Sequence, residues 1–149
     1  MIQKDIFKLI HAVEQLNNEN IMQFTKAFQY PLGISPILVL GELLTKGPQK
    51  QAELAETIGY TKGAMTSISE KLVKLGLAER LYNENDRRTI QLKITVAGEK
   101  ALQEAQAIGQ DVYMQLFEVL NEEELKHYLQ IQEKLVQGIR DRKNKNRLE

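Results

Sequence analysis

The stretch that decides the fold is residues 51–98, QAELAETIGYTKGAMTSISEKLVKLGLAERLYNENDRRTIQLKITVAG. Its start predicts a short helix, because Leu54, Ala55 and Ile58 recur with the spacing of one helical face. Gly59 then suits the left-handed backbone conformation that ends many helices.

A second helix is predicted over residues 62–75, with Thr61 placed to cap its first turn through the side-chain oxygen. Two short helices joined by so tight a turn are typical of a helix-turn-helix. The predicted apolar stripe of the second helix comprises Ala64, Ile68, Leu72 and Leu75. The predicted outward residues are Lys62, Gly63, Thr66, Ser67, Ser69 and Glu70. Small outward side chains suit a helix that must enter the major groove of DNA deeply.

Two short strands follow the second helix. Residues 77–82 read as one strand, and residues 89–95 alternate apolar and polar side chains with the period of a half-buried strand. The tip between them, residues 83–88, is polar and contains Asp-Arg-Arg. A charged hairpin placed directly after a helix-turn-helix predicts a wing.

These residues give the chain a specific resemblance. Leu54-Ala55 with Gly59, the run from Thr66 to Leu77, and the run from Asp86 to Gly98 resemble the winged helix-turn-helix of the MarR family of bacterial transcriptional regulators. Ile94 stands where the family usually has Leu. The resemblance implies a mainly α fold with a small β-wing, and a dimer formed through interleaved N- and C-terminal helices.

We therefore expect the chain to bind double-stranded DNA. The candidate recognition-helix contacts are Thr61, Lys62, Gly63, Thr66, Ser67 and Glu70. The family places the second Arg of this motif in the minor groove, which implies that role for Arg88. Arg87 is then a candidate phosphate contact, and Asp86 is expected to orient Arg88 through a charge-assisted pair.

Composition is compatible with a DNA-binding regulator but does not establish one. The chain has 149 residues, 42% of them hydrophobic and 27% charged, no cysteine and a net charge of zero. Positive and negative charges are unevenly distributed along the chain. Residues 45–95 hold nine Lys and Arg against six Asp and Glu, and residues 96–137 hold three Lys and Arg against eight Asp and Glu. No apolar run approaches the ~18 residues of a membrane span, so a cytoplasmic protein without membrane contact is expected.

The flanking segments predict a second structural role. Residues 1–32 and 99–149 carry long amphipathic helical patterns whose apolar stripes exceed what a winged domain at 33–98 can cover. We expect them to form a helical dimerisation domain, so that a homodimer binds a pseudo-palindromic operator. The alternative is a self-contained monomeric bundle. The basic tail, residues 140–147, lacks apolar periodicity and is predicted to fray.

Other functions remain open at this point. The resemblance implies a repressor released from DNA by a small aromatic or phenolic effector, and the candidate crevice residues are Phe24, Phe28, Tyr30 and Tyr113. One alternative is a winged-helix module that binds protein, and another is a metal-responsive regulator. His11 and His127 lie alone on their helices, so neither a metal site nor a cofactor is expected. No nucleophile or phosphate-loop motif predicts an enzyme.

Overall fold

A computed structural model of the chain describes residues 3–86 and 88–149. Arg87, a candidate wing contact, lies outside the described residues. The helices and strands in chain order are α1 (Gln3–Ala27), α2 (Ile34–Lys46), β1 (Gln49–Lys50), α3 (Gln51–Ile58), α4 (Lys62–Lys74), β2 (Ala78–Tyr82), β3 (Ile90–Ile94), α5 (Val96–Phe117) and α6 (Glu122–Leu148). The predicted fold class, mainly α with a small β-wing, is confirmed.

The helix-turn-helix forms as the sequence predicts. Leu54 and Ala55 of α3 are buried, and Gly59 ends this helix with φ 86° and ψ 31°. The Gly59 N–H donates to the Ala55 carbonyl at 2.9 Å. Thr61 caps α4, because its Oγ1 accepts from the Ala64 N–H at 3.1 Å. Local hydrogen bonds therefore end α3 and begin α4.

The buried face of α4 differs from the predicted one. Met65, Ser69 and Leu72 are buried, whereas Ala64 is exposed. The prediction that Ser69 points outward is therefore wrong. Residues three and four apart share a helical face. The large Met65 side chain is buried in place of its neighbour Ala64, so Ser69, four residues after Met65, is buried with it. Ser69 is small enough to pack inside, although its hydroxyl has no hydrogen-bond partner within the described part of the chain.

The wing belongs to a three-stranded antiparallel sheet with the order β1-β3-β2. In β2 and β3, Ala78 faces Ile94 and Tyr82 faces Ile90. The sequence predicted these two strands but missed β1, in which Lys50 pairs with Gln91 of β3. A strand of two residues is too short to show an alternation of apolar and polar side chains. It is recognised only by its pairing with β3.

A single hydrophobic core supports the helix-turn-helix. It draws on the apolar helix α2, whose Val39, Leu40 and Leu43 are almost wholly buried, and on α5 through Leu102. A hydrogen bond from Tyr60 Oη to Ser35 Oγ, 2.8 Å long, ties the turn between α3 and α4 to the start of α2. The buried cluster thus extends beyond residues 33–98 at both ends.

A close contact joins the sheet to α5. Thr95 Oγ1 donates to the Gly76 carbonyl at 2.6 Å and accepts from the Gly98 N–H at 3.0 Å. The Thr95 N–H donates to the Leu77 carbonyl at 3.1 Å. A Cβ at Gly98 would clash with that same Leu77 oxygen and would lie 2.8 Å from Ile94 Cγ1. Only glycine fits at this crossing.

The chain divides into two compact units, of which one ends at Val112 and the other begins at Tyr113. In the second unit Asn121 and Glu124 form a capping box at the start of α6. This helix continues to Leu148, so the prediction that residues 140–147 fray is wrong. Lys and Arg are good helix formers, and positive charge in a last turn favours the helix dipole.

The contact at Gly98 gives a test of the fold. We expect Gly98→Ala to lower the free energy of unfolding by about 1–3 kcal/mol, because the added methyl must displace backbone. Chemical denaturation measures this change.

The matched control is Gly109→Ala in the same helix, where an added Cβ meets nothing within 4 Å. That substitution should leave stability unchanged or raise it by up to about 1 kcal/mol, because Ala is the better helix former. Equal stability of the two variants would contradict the contact at Gly98.

Candidate nucleic-acid interface

The outward face of α4 is a row of small and polar side chains. All six predicted recognition residues are exposed, namely Thr61, Lys62, Gly63, Thr66, Ser67 and Glu70. None of them contributes to the core, because burial on this helix falls to Met65, Ser69 and Leu72. Lys62 lies in the first turn, where free backbone N–H groups also attract a phosphate. This face can therefore approach a duplex closely.

Hydrogen bonds inside α4 restrict what two of these residues can do. Thr66 Oγ1 donates to the Lys62 carbonyl at 2.9 Å, and Thr61 Oγ1 already accepts the capping bond from Ala64. Thr66 is left with its oxygen lone pairs and its methyl group. It can accept from a base amino group or contact a thymine methyl, but its hydroxyl proton is engaged.

A cleft of about 270 Å³ lies beside the first turn of α4. Gln51 and Ala52 line it from α3, while Lys62, Met65 and Thr66 line it from α4. Gln51 was not among the predicted site residues. It is the first residue of α3, and its position in the sequence does not indicate that it lies beside α4. The cleft shows that α3 and α4 share this surface.

Asp86 shapes the tip of the wing with both carboxylate oxygens. Oδ1 accepts from the Arg88 backbone N–H at 3.0 Å, and Oδ2 accepts from Thr89 Oγ1 at 2.9 Å. The Thr89 N–H donates to the Asp86 carbonyl at 3.1 Å. The carboxylate therefore holds Arg88 by its main chain, in place of the predicted pair with the guanidinium. Arg88 itself is exposed.

The same hydrogen bonds lower the pKa of Asp86 below its usual value of 3.8. The Arg88 backbone N–H is the largest cause, the Thr89 hydroxyl adds to it, and the positive charge of Lys50 contributes further. Each of these favours the ionised carboxylate. The carboxylate thus stays charged at every pH at which the protein would work.

Lys50 is a residue that the sequence analysis did not select. It lies at the end of β1 and lines an open cleft of about 520 Å³ along the wing, together with Tyr82, Asn83, Thr89 and Gln91. The pairing of Lys50 with Gln91 brings its positive charge towards the wing. No local pattern could have indicated this placement, because β1 itself left no signal.

The aromatic residues predicted to form an effector crevice are only partly brought together. The Phe28 ring lies 5.2 Å from that of Phe24 and 5.3 Å from that of Tyr30, measured between centroids. Phe28 is buried in the core, while a shallow, open surface depression of about 430 Å³ touches both Phe28 and Tyr30. Tyr113 belongs to the second unit, where its ring stacks on Phe117.

Within residues 3–86 and 88–149, no group of three His, Asp or Glu side chains could hold a metal ion. Among the helices of that described part, none is both long and apolar enough to cross a membrane.

Comparison with known proteins identifies the family. The family model described as MarR family matches residues 34–90, which run from the start of α2 to the start of β3. The transcriptional repressor MdtR of Bacillus subtilis is 31% identical over 108 residues, covering 71% of this chain and 70% of the repressor. Its name describes a transcriptional repressor and not an enzyme.

Solved structures show the same fold. A mutant of MarR from Escherichia coli, in complex with operator DNA, superposes with a TM-score of 0.73 at 23% identity and covers 91% of this chain and 98% of its own. An organohalide-sensing transcriptional regulator in its 2,4-dichlorophenol-bound form gives a TM-score of 0.75 at 18% identity, covering 91% and 80%. Sequence and fold lead to one conclusion: the chain belongs to the MarR family of transcriptional regulators and is not an enzyme.

Proposed function

We propose that this regulator is a homodimeric repressor that binds a pseudo-palindromic operator in double-stranded DNA. The observation that carries the proposal is the outward face of α4, which exposes Lys62, Thr66 and Glu70 and keeps them out of the core. The resemblance in fold to a regulator solved with operator DNA supports the same use of this face.

The wing supplies a second contact in this proposal. Arg88 is exposed on a turn that the Asp86 carboxylate fixes. The narrow minor groove concentrates negative potential, so a guanidinium held there gains attraction without reading a particular base. Lys50, on the neighbouring strand, is placed to contact the phosphate backbone next to the wing.

Exposed apolar side chains support the dimer. On α1, Phe7 is 71% exposed and Val13 is 52% exposed, and α6 exposes Leu129 and Leu135 to 58% each. Large apolar surfaces left open by a single chain mark sites of association. We assign residues 1–32 and 99–149 to a dimerisation domain that carries the winged domain at 33–98. The two-fold axis would then set half-sites about one helical turn apart, ~34–36 Å.

Repression and its relief complete the proposal. The related MdtR is named as a repressor, and an operator-bound dimer obstructs transcription sterically. A neighbour in fold was solved with 2,4-dichlorophenol, and here an open surface depression of about 430 Å³ touches Phe28 and Tyr30. A phenolic effector that prefers a DNA-incompetent form would shift the population away from DNA. The protein would act in the cytoplasm, where its DNA lies.

Replacement of the wing arginine tests the function directly. We expect Arg88→Ala to weaken binding to a duplex selected from genomic DNA by about 1–3 kcal/mol and to make the slope of affinity against salt shallower by about one unit. Fluorescence anisotropy over a range of salt concentrations measures both quantities.

Arg147→Ala is the matched control, because it removes the same charge from an exposed position on α6. It should leave the affinity nearly unchanged. If Arg88→Ala binds DNA as the wild type does, the module that binds protein becomes the better explanation.

The Asp86 carboxylate gives a second prediction. Asp86→Ala should weaken DNA binding less than Arg88→Ala does, because Arg88 remains but its turn loosens. Since the pKa of Asp86 is lowered on folding, its contribution to the wing is complete above the unfolded value of 3.8 and is lost only as pH falls through the lower folded value. Between pH 5 and 8 the wing should therefore be insensitive to Asp86 titration.

Amide hydrogen exchange at Arg88 measures the turn, with Asp141→Ala on α6 as a control for the lost negative charge. Exchange at Arg88 that is equally slow in wild type and Asp86→Ala would show that the carboxylate does not hold the turn.

The effector proposal has its own test. We expect 2,4-dichlorophenol to release the protein from a selected duplex, and Tyr30→Leu to require about tenfold more of it, an effect of ~1.4 kcal/mol. Tyr30 lines this depression but is only partly buried, so leucine can replace its bulk. Isothermal titration without DNA separates binding from release, and the absence of saturable binding would refute the phenolic effector.

A further inference from the structure

The cleft beside the first turn of α4 combines methyl groups with a positive charge. Ala52 lines it from α3 and Thr66 lines it from α4, and both residues are exposed. Met65 also lines the cleft but is fully buried. Gln51 and Lys62 complete the lining. We call the space bounded by these five residues the methyl cleft.

A hydrogen bond limits what Thr66 offers to a group that enters the methyl cleft. Its Oγ1 donates to the Lys62 carbonyl at 2.9 Å, so the hydroxyl proton is engaged by its own helix. A β-branched side chain has few χ1 positions in a helix, and this bond therefore also fixes the direction of the Cγ2 methyl group. Ala52 has no polar side-chain atom, and the Met65 thioether is only a weak acceptor. These three side chains favour an apolar guest.

Lys62 adds a hydrogen-bond donor to this apolar lining. Its ammonium group has three donors and no acceptor. The side chain is exposed, and within residues 3–86 and 88–149 no carboxylate forms an ion pair with it. A complementary guest therefore carries an apolar group beside a hydrogen-bond acceptor. Among the base edges of the major groove, only thymine shows that combination, with its C5-methyl group next to the O4 acceptor.

We propose that the methyl cleft reads one thymine in each half-site of the operator, with the thymine C5-methyl group between Ala52 and Thr66 and the O4 atom accepting from Lys62. This inference rests on the proposed function and names a base that the surface selects. Cytosine is disfavoured, because it lacks the methyl group and presents an amino group where the ammonium needs an acceptor. Ala52 thereby becomes a specificity-determining residue outside the recognition helix.

Gly63 keeps the approach to the methyl cleft open. It lies three residues before Thr66, which makes the two residues neighbours on the surface of α4. An added Cβ at Gly63 would meet nothing within 4 Å, so packing within the chain gives no reason for a glycine here. A position without a side chain lets the edge of a base pair come close to the helix backbone beside Thr66.

A phosphate group is the competing guest, because Lys62 and the first turn of α4 both attract an anion. Two features of the lining argue against it. A phosphate oxygen placed against the methyl groups of Ala52 and Thr66 would lose its hydration without gaining a hydrogen bond. The Thr66 hydroxyl cannot donate to that oxygen either, since its proton is held by the Lys62 carbonyl.

Replacement of thymine by deoxyuridine tests the inference, because it removes only the C5-methyl group from the DNA. The replacement is made at one thymine position at a time, in both half-sites of a duplex selected from genomic DNA. At one position it should weaken binding about ten- to twentyfold, because each buried methyl group contributes about three- to fivefold and the proposed dimer buries two. Fluorescence anisotropy measures the affinities.

Thr66→Ser removes the facing methyl group from the protein and keeps the hydroxyl that binds the Lys62 carbonyl. It should weaken binding to the thymine duplex about three- to tenfold and leave binding to the deoxyuridine duplex nearly unchanged, because the contact between the two methyl groups is already lost there. Thr45→Ser is the matched control, since Thr45 is also exposed and donates to the carbonyl four residues earlier, that of Gly41, at 2.8 Å. It should change neither affinity.

The outcomes separate this inference from the proposed function. Operator binding in which no thymine position is coupled to Thr66→Ser would refute only the thymine contact. Affinity that ignores deoxyuridine, while Lys62→Ala weakens binding to selected and unrelated duplexes equally, would establish a phosphate as the guest and overturn our assignment. A wild-type chain that binds no selected duplex would refute the proposed function and this inference with it.

Discussion

The crossing of the wing and α5 at Gly98 is the constraint on which the DNA-binding surface depends. Thr95 binds the Gly76 carbonyl through its hydroxyl and the Leu77 carbonyl through its N–H, so the end of β3 is fixed to the end of the α4 segment. Gly98 lets α5 begin against that same backbone. The recognition helix, the wing and the helix that leaves the domain are thus fixed at one point.

Because of this crossing, the relative position of α4 and the wing follows from the main chain of Thr95 and Gly98 and from the short Thr95 hydroxyl, and not from long flexible side chains. The core completes the arrangement, since Leu72, Leu77 and Leu92 come from α4, the following turn and β3 and are each at most 1% exposed. The proposed contact with two grooves of a duplex needs this rigidity, because small displacements would separate Lys62 from Arg88. Only the tip, held by Asp86, depends on a single side chain.

The sequence predicted those features that local chemistry determines. Gly59 and Thr61 end and begin helices through their own backbone and side-chain preferences, so both were found. Features that depend on how the folded chain packs were missed. β1 exists because β3 lies beside it, and Ser69 is buried because the neighbouring Met65 sets the face of α4. The true hydrogen-bond partner of Asp86, the Arg88 backbone, likewise depends on the folded turn.

The predicted fraying of the basic tail failed for a related reason. That prediction rests on the lack of apolar periodicity, whereas residues 140–147 continue α6 on intrinsic helix propensity. Because α6 includes these residues, their positive charges are held at fixed positions on a helix. In a frayed tail the positive side chains would have no fixed direction, but a helix places Lys143 and Lys145 at defined angles about its axis.

Because the net charge of the chain is zero, its proposed DNA binding would depend on dimerisation. Phosphate attraction grows with the number of positive contacts, and the segment 45–95 has an excess of only three positive charges. One subunit would therefore hold DNA weakly at physiological salt. The proposed homodimer would hold a second winged domain near the duplex, which would raise its effective concentration and multiply the two affinities. Occupancy of the operator would then depend on the proposed dimer, so any change that weakens the dimer interface would also lower DNA binding without touching α4 or the wing.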